Sequence, residues 1–275
     1  MRITPLWTAV AATLAACAMH TPAVLAQPPA SDAGIVRLGV SNDRSGIYSD
    51  LGGLGSEMAV RMAVEDFGGK VAGKTVEVIG ADNQNKADVA SALVRRWFDT
   101  QALVAVVDGG ASSAGLAAQG VAREKGGTAL ISGGFAGDFS GKQCSPLSTQ
   151  WAPDTYALAN AVVRSVVEGG GKSWYFITTD YVFGKSLEAN ASRFVQGAGG
   201  KVLGSTRHPL GAMDFASFLL QAQASQADVV GLASAGGDLV NLIKQAQEFG
   251  LTGGKQRLLT FLTFINDVQA MGLPV

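Results

Sequence analysis

The sequence predicts an α/β fold with parallel sheets, and the placement of its glycines is the main reason. Five stretches with helical character stop at glycine clusters, and apolar runs with strand character follow. Glycine takes the left-handed conformation that ends a helix, so each cluster predicts a helix C-cap before a strand. The clusters occupy residues 67–70, 125–127, 169–172, 197–201 and 253–255. This repeated order of strand, helix and glycine stop is typical of a parallel sheet.

Seven elements are predicted in the first half of the chain. The first helix is predicted because Leu54, Met58 and Met62 recur at helical spacing. The predicted strands cover residues 35–41, 75–80, 103–107 and 129–132, and the helices cover residues 51–67, 86–98 and 112–125.

The alternation stops between Phe135 and Pro153, so a boundary is predicted near residue 150. Residues 35–150 then form an N-terminal α/β lobe, residues 151–275 form a second α/β lobe, and residues 27–34 form a linker. The predicted helices of the second lobe cover residues 154–168, 183–197, 214–225 and 238–249, and its strands cover residues 173–178, 202–205, 228–233 and 257–262. The second lobe lacks a closing element, so it is expected to be incomplete.

Composition excludes several classes of protein. A hydrophobic content of 47% with 16% charged residues is not that of a disordered chain. A net charge of -1 gives no electrostatic reason to expect a nucleic-acid partner. Beyond the leader, no apolar run approaches the roughly 18 residues that a membrane span needs.

The first 26 residues have the pattern of a signal peptide, with one charge at Arg2, an apolar core and a cleavage site near Ala26. Export to the periplasm is therefore expected. Leu14-Ala15-Ala16-Cys17 also resembles a lipobox, so a lipid anchor at Cys17 is a competing interpretation.

No catalytic set is recognisable, and neither an enzyme nor a cofactor is predicted. Outside the leader, His208 is the only histidine and Cys144 the only cysteine. These two residues make neither a zinc site nor a Cys–His pair. His208 is expected at the surface, and Cys144 is expected to be buried and inert.

Ligands of open α/β sheets bind beyond the carboxyl ends of the strands, so the loops at those ends are the candidate site. Ser112 and Ser113 lie where a glycine loop enters a helix, where they could hold an anion or simply cap the helix. The loop containing Gly134, Phe135 and Ala136 offers backbone donors and a ring, although its glycines are also typical of an ordinary turn.

Four further side chains of these loops have two interpretations each. Tyr48, Tyr181 and Phe183 supply apolar walls in one interpretation and ordinary packing in the other. Arg44 either pairs with a ligand carboxylate or lies solvated at the surface.

Several motifs occur in the order known from one family. They are residues 43–46 (DRSG), 63–67 (AVEDF), 108–113 (DGGASS), 131–134 (ISGG), 180–184 (DYVFG) and 243–251 (IKQAQEFGL). From Ile35 to its C-terminus, the chain resembles the periplasmic leucine/isoleucine/valine-binding proteins, the type I solute-binding proteins of ABC importers. The resemblance implies two Rossmann-like lobes that close on a small solute without catalysis and present it to a membrane permease. A monomer is expected.

The resemblance also implies which residues hold the ligand, and the departures from it suggest the ligand's chemistry. Ser112 or Ser113, with Gly134, Phe135 and Ala136, match the family's carboxylate site. Ala136 stands where many relatives have threonine, and Phe264 lies nearest to the position of an acidic ammonium partner. A carboxylic acid without an amine, with aromatic acids among the candidates, is therefore favoured, and an amino acid is the alternative.

Members of the family are usually longer, so a C-terminally truncated chain is expected. Two other classes of function stay open: an extracellular ligand sensor built on the same lobes, and an exported α/β enzyme.

Overall fold

A computed structural model describes residues 34–272 of the chain. The predicted signal peptide, the lipobox cysteine at position 17 and most of the predicted linker lie outside the described residues. Within them, no helix is both long enough and apolar enough to cross a membrane.

The first lobe contains a six-stranded sheet in the order β2-β3-β1-β4-β5-β6. Its strands are β1 (Ile35–Asn42), β2 (Lys70–Val71), β3 (Lys74–Asp82), β4 (Leu103–Asp108), β5 (Thr128–Ile131) and β6 (Ser148–Gln150). Its helices are α1 (Gly53–Asp66), α2 (Ala87–Thr100) and α3 (Ser112–Lys125). All neighbouring strands are parallel except the antiparallel pair β2 and β3. The carboxyl ends of β1, β4 and β5 therefore meet at one edge of the sheet.

The second lobe contains a four-stranded parallel sheet in the order β10-β9-β7-β8. Its strands are β7 (Ser173–Thr179), β8 (Lys201–His208), β9 (Val229–Ala233) and β10 (Arg257–Thr260). Its helices are α4 (Thr155–Glu168), α5 (Val182–Gly197), α6 (Ala216–Ala224), α7 (Gly236–Glu248) and α8 (Ile265–Met271). The two-lobed α/β fold with parallel sheets is thus confirmed.

Every predicted helix and strand is present, all but helix α3 with shifted ends, and three short elements were missed. They are β2, β6 and α8. Strand β6 has only three residues, Ser148, Thr149 and Gln150, and pairs with β5 through its backbone. A strand that is short, polar and at a sheet edge has no apolar periodicity, so the sequence gives no signal for it.

Three apolar clusters form the cores. One fills the first lobe between its sheet and helices α2 and α3, around Trp97, Val106 and Ile131. The other two occupy the second lobe, around Trp174 and Phe176 and around Leu232 and Leu242. The first of these also includes Tyr48 and Ala111 of the first lobe, so packing continues from one lobe to the other.

Helix α1 departs from this pattern. Its helical spacing was predicted correctly, but Leu54, Met58 and Met62 are 57–68% exposed and do not join a core.

Cys144 was expected to be buried, yet it is exposed and free. Its turn is polar and rich in Ser, Gly and Lys, and no apolar neighbour covers the thiol.

Candidate ligand-binding site

A cavity of about 270 Å³ lies where the two lobes face each other. The loops that follow β1, β4 and β5 of the first lobe and β7, β9 and β10 of the second lobe supply most of its walls. The lining residues are Asn42, Asp43, Tyr48, Leu51, Gly52, Gly53, Ser56, Asp108, Gly110, Ala111, Ser112, Ser132, Gly133, Phe135, Tyr181, Phe183, Ala235, Leu262 and Phe264. This is the position that parallel sheets predict for a ligand.

One side of the cavity is aromatic. The ring of Phe135 lies 6.3 Å from the ring of Phe183 in an edge-on arrangement, and 6.2 Å from the ring of Phe264. The ring of Tyr181 lies 6.1 Å from that of Phe183. Phe135 belongs to the first lobe and the other three to the second, so the aromatic wall spans the cleft. It suits a flat or branched apolar group.

Ser112 joins the loop after β4 to the loop after β5 and lies next to Phe135 of the aromatic wall. It is the first residue of α3, and its Oγ accepts hydrogen bonds from the backbone N–H groups of Phe135 and Ala136, both at 3.1 Å. Ser112 lines the cavity at the amino end of α3, and the amino end of a helix favours an anion. However, the N–H groups of Phe135 and Ala136 are already bonded within the protein.

Two tyrosines connect the lobes across the cavity. The hydroxyl oxygens of Tyr48 and Tyr181 are 2.8 Å apart. Burial raises the pKa of both phenols, with the phenol of Tyr181 adding to the effect at Tyr48. Both side chains are therefore neutral at physiological pH, and one hydroxyl donates to the other.

The loop between β1 and α1 also docks on the second lobe. The backbone oxygen of Ile47 accepts from the N–H of Gly237 at 3.0 Å, and that of Asp50 accepts from the side-chain amide of Asn266 at 2.6 Å. The carboxylate of Asp43 shapes this loop, because it accepts from the N–H groups of Gly46 and Tyr48 at 2.7 and 2.9 Å. The ends of the loop are thus held by the first lobe and its tip by the second.

Asp108 supplies a buried carboxylate at the end of β4. Its side chain is only slightly exposed, and one oxygen accepts from the Asn42 amide at 2.9 Å while the other is 3.4 Å from the Ser132 hydroxyl. The backbone φ of Asp108 is +79°, a left-handed conformation that is uncommon for a residue other than glycine. Gly109 and Gly110 follow with φ of +89° and +62°, and they turn the chain from β4 toward α3.

Six of the nine predicted site residues line the cavity together, and three do not. Those that line it are Tyr48, Ser112, Phe135, Tyr181, Phe183 and Phe264. Of the other three, Ser113 is half-buried on α3 and Ala136 is fully buried. Gly134 lies behind the wall, where its backbone oxygen accepts from Gln150 at 2.9 Å.

Arg44 is placed differently from either sequence interpretation. It is half-buried and forms an ion pair with Glu57 at 2.5 Å, so it is neither a free surface residue nor part of the cavity wall.

Among the lining residues that were not predicted from the sequence, Asp108 and Asp43 are the most polar. Their signal was present, because each lies at the end of a predicted strand.

His208 was predicted at the surface, and this was wrong. Strand β8 continues to His208, whose ring is fully buried and packs edge-on against Phe215 at 4.9 Å. Its Nε2 lies 2.7 Å from the Ser234 hydroxyl, and its Nδ1 lies 3.9 Å from the Asp238 carboxylate. Burial lowers the pKa of His208 and raises that of Asp238 to about 6.

The tyrosine pair leads to a testable expectation. Tyr48→Phe should lower the free energy of unfolding by about 1–2 kcal/mol, because the Tyr181 hydroxyl then stays buried without its partner. Urea denaturation measures this directly. Tyr156→Phe is the matched control, since Tyr156 is 49% exposed and should change stability little. Equal effects of the two substitutions would show that the hydroxyl pair contributes nothing.

Two facing α/β lobes with an apolar cavity between them define the class of two-lobed binding proteins. The periplasmic binding protein family model matches residues 35–275, so the chain belongs to that family. Its structural neighbours include a periplasmic binding protein and a periplasmic ligand-binding protein of an ABC transporter. No curated protein is significantly similar to the chain.

Two of the similar proteins with solved structures come from Burkholderia species. A periplasmic binding protein from Burkholderia mallei is 49% identical, with a TM-score of 0.84 over 88% of this chain and 64% of its own. A periplasmic ligand-binding protein of a branched-chain amino acid ABC transporter from Burkholderia xenovorans is 35% identical, with a TM-score of 0.71 over 86% of this chain and 64% of its own. This chain therefore spans just under two thirds of the length of either protein.

A third solved structure is similar in fold alone. It is a solute-binding protein of an ABC transporter from Rhodopseudomonas palustris in complex with 4-hydroxybenzoate, 20% identical to this chain. Its TM-score is 0.76, over 82% of this chain and 61% of its own.

Proposed function

We propose that this protein is the solute-binding component of an ABC importer and binds a small organic carboxylate between its lobes. The observation that carries the proposal is the cavity itself, which is lined by the aromatic wall and, next to Phe135, by Ser112 at the amino end of α3. The apolar part of a solute packs against the rings, and its carboxylate accepts hydrogen bonds at the helix end.

The proposal includes the protein's setting. The chain is exported to the periplasm, acts there as a monomer and delivers its solute to a permease of the inner membrane. It carries out no chemistry on that solute. Family membership supports the extracytoplasmic setting, and the N-terminal leader pattern supports export.

Two kinds of carboxylate are candidates, and a different observation favours each. The aromatic wall favours an aromatic acid, the kind of ligand found in the similarly folded protein from Rhodopseudomonas palustris. The 35% identity to a protein of a branched-chain amino acid transporter favours an amino acid. Both kinds of ligand place a carboxylate opposite an apolar group.

Thermal unfolding of the exported chain with a panel of solutes tests the proposal. The panel contains leucine, valine, benzoate, 4-hydroxybenzoate and short aliphatic acids. A ligand at a hundred times its dissociation constant stabilises a folded binder by about 2.7 kcal/mol, which is a clear rise in Tm. A cooperative transition that no member of the panel raises would contradict the proposal.

A further inference from the structure

The Asp108 carboxylate has an unusual environment for a buried acidic group. Its side chain is 2% exposed, and its partners are the neutral Asn42 amide at 2.9 Å and the neutral Ser132 hydroxyl at 3.4 Å. Among the described residues it takes part in no ion pair. Buried carboxylates are normally paired with a cation or saturated with hydrogen bonds, because desolvation is costly otherwise.

Asp43, the other acidic residue of the cavity wall, does not share this environment. Its oxygens accept from the N–H groups of Gly46 and Tyr48 and, in a very short contact, from the Asn85 amide. Asp43 is therefore saturated by its own loop and by Asn85 from the loop before α2, and its role is to shape its own loop. Asp108 has one good donor and one distant one, so acceptor capacity remains at the cavity.

The cavity wall supplies no positive charge to offset Asp108. No Lys, Arg or His is among its lining residues. Two acidic residues of the second lobe lie outside the cavity wall, and one oxygen of Asp238 is buried without a hydrogen-bond partner. Asp267 accepts from the N–H of Phe264, Asp238 accepts from the N–H of Gly211, and neither lines the cavity.

We propose that Asp108 binds a cationic group of the ligand, such as a primary ammonium, and that this contact selects amine-bearing solutes. The inference rests on the proposed binding function and narrows its ligand class. The ammonium group donates to the carboxylate from within the cavity, while the rest of the solute packs against the aromatic wall. A carboxylate on the same solute is directed to the amino end of α3, four residues further along the chain.

This arrangement places the cation partner on the first lobe. Sequence reasoning looked for such a partner near Phe264 on the second lobe, found an apolar residue and favoured a ligand without an amine. Asp108 supplies the missing charge from the other side of the cleft. A solute that is only an acid places its negative charge beside an uncompensated carboxylate, which weakens its binding.

Two matched sets of probes test the proposal by titration calorimetry. The aromatic set is phenylalanine, phenethylamine and hydrocinnamate, which carry both charged groups, the amine alone and the acid alone. The aliphatic set is leucine, isoamylamine and isocaproate, related in the same way. Asp108→Asn is the test variant, and a melt without solute checks that it folds.

Asp180→Asn is the control variant. Asp180 is exposed, pairs with Lys185 at 2.8 Å and does not line the cavity. Wild-type protein is expected to bind the amine-bearing members of at least one set more tightly than the acid. Asp108→Asn should weaken the amine-bearing members by about 10- to 100-fold and leave the acid unchanged or tighter. Asp180→Asn should change none of these affinities.

Three results would overturn the proposal. In the first, the acid binds wild-type protein as tightly as its amine-bearing partners. In the second, Asp108→Asn weakens all three members of a set equally, which would mark Asp108 as structural. In the third, no probe of either set binds, which would count against the proposed binding function as well. If Asp108→Asn does not fold, the ranking of the probes by wild-type protein decides alone.

Discussion

Ser112→Ala is expected to lower the free energy of unfolding by about 2–4 kcal/mol, because one buried and one partly buried N–H group lose their acceptor. The Oγ of Ser112 accepts from Phe135 and Ala136 at 3.1 Å each, and Ala136 is fully buried. Alanine has no oxygen to replace this acceptor. The two donors then either remain unsatisfied or pull the loop out of place.

The same substitution should weaken solute binding by about 10-fold, because Phe135 belongs to the aromatic wall and moves with the loop. Ser113→Ala is the matched control, since Ser113 is the next residue of α3 and does not line the cavity. Urea denaturation and calorimetry of both variants measure the two effects. Equal losses in the two variants would contradict the bridging role of Ser112.

The fold was predictable from the sequence because its signals are local. Glycine stops mark helix ends, and helix α3 was predicted with the same bounds that the structure shows, Ser112–Lys125. Strand β6 was not predictable, because its residues are polar and its pairing depends on β5. Local patterns identify an element, whereas its burial depends on contacts made far along the chain.

His208 shows that local sequence patterns do not predict the burial of every side chain. The residue precedes Pro209 in a polar stretch, which is typical of a surface turn, yet its ring is buried against Phe215 and near Ser234. These contacts join three separate segments of the second lobe. A single sequence contains no periodicity that reports such packing, so surface exposure was the natural but wrong prediction.

The candidate site was predictable where the sheet geometry alone places residues. Tyr48, Ser112 and Tyr181 follow strand ends and line one cavity, as parallel sheets require. Which polar side chains of the site are already hydrogen-bonded within the protein was not predictable. The sequence could not indicate that Ser112 already accepts from Phe135. Nor could it indicate that Asp108 forms no ion pair within residues 34–272, while Asp43 is saturated by hydrogen bonds.

The free energy of unfolding of Asp238→Asn is expected to increase relative to that of wild type as the pH rises from about 4 to about 6. Burial raises the pKa of Asp238 to about 6 from 3.8 in an exposed chain. Between these values the folded protein binds a proton that the unfolded chain releases, so wild-type stability falls with rising pH. The shift corresponds to a relative loss of about 3 kcal/mol, complete above the folded pKa.

Asparagine keeps an oxygen that can accept from the N–H of Gly211, which Asp238 now binds at 3.0 Å, and it carries no charge at any pH. His208 has the opposite pH dependence, because burial lowers its pKa and its neutral form is favoured in the fold. Subtracting the free energy of unfolding of wild type from that of the variant at each pH largely removes the contribution of His208, which both proteins share. Asp66→Asn, at the exposed end of α1, is the control and should give a constant offset. Urea denaturation from pH 4 to pH 7 measures the difference. A value that does not change with pH would mean that the buried carboxyl of Asp238 titrates as it does in the unfolded chain.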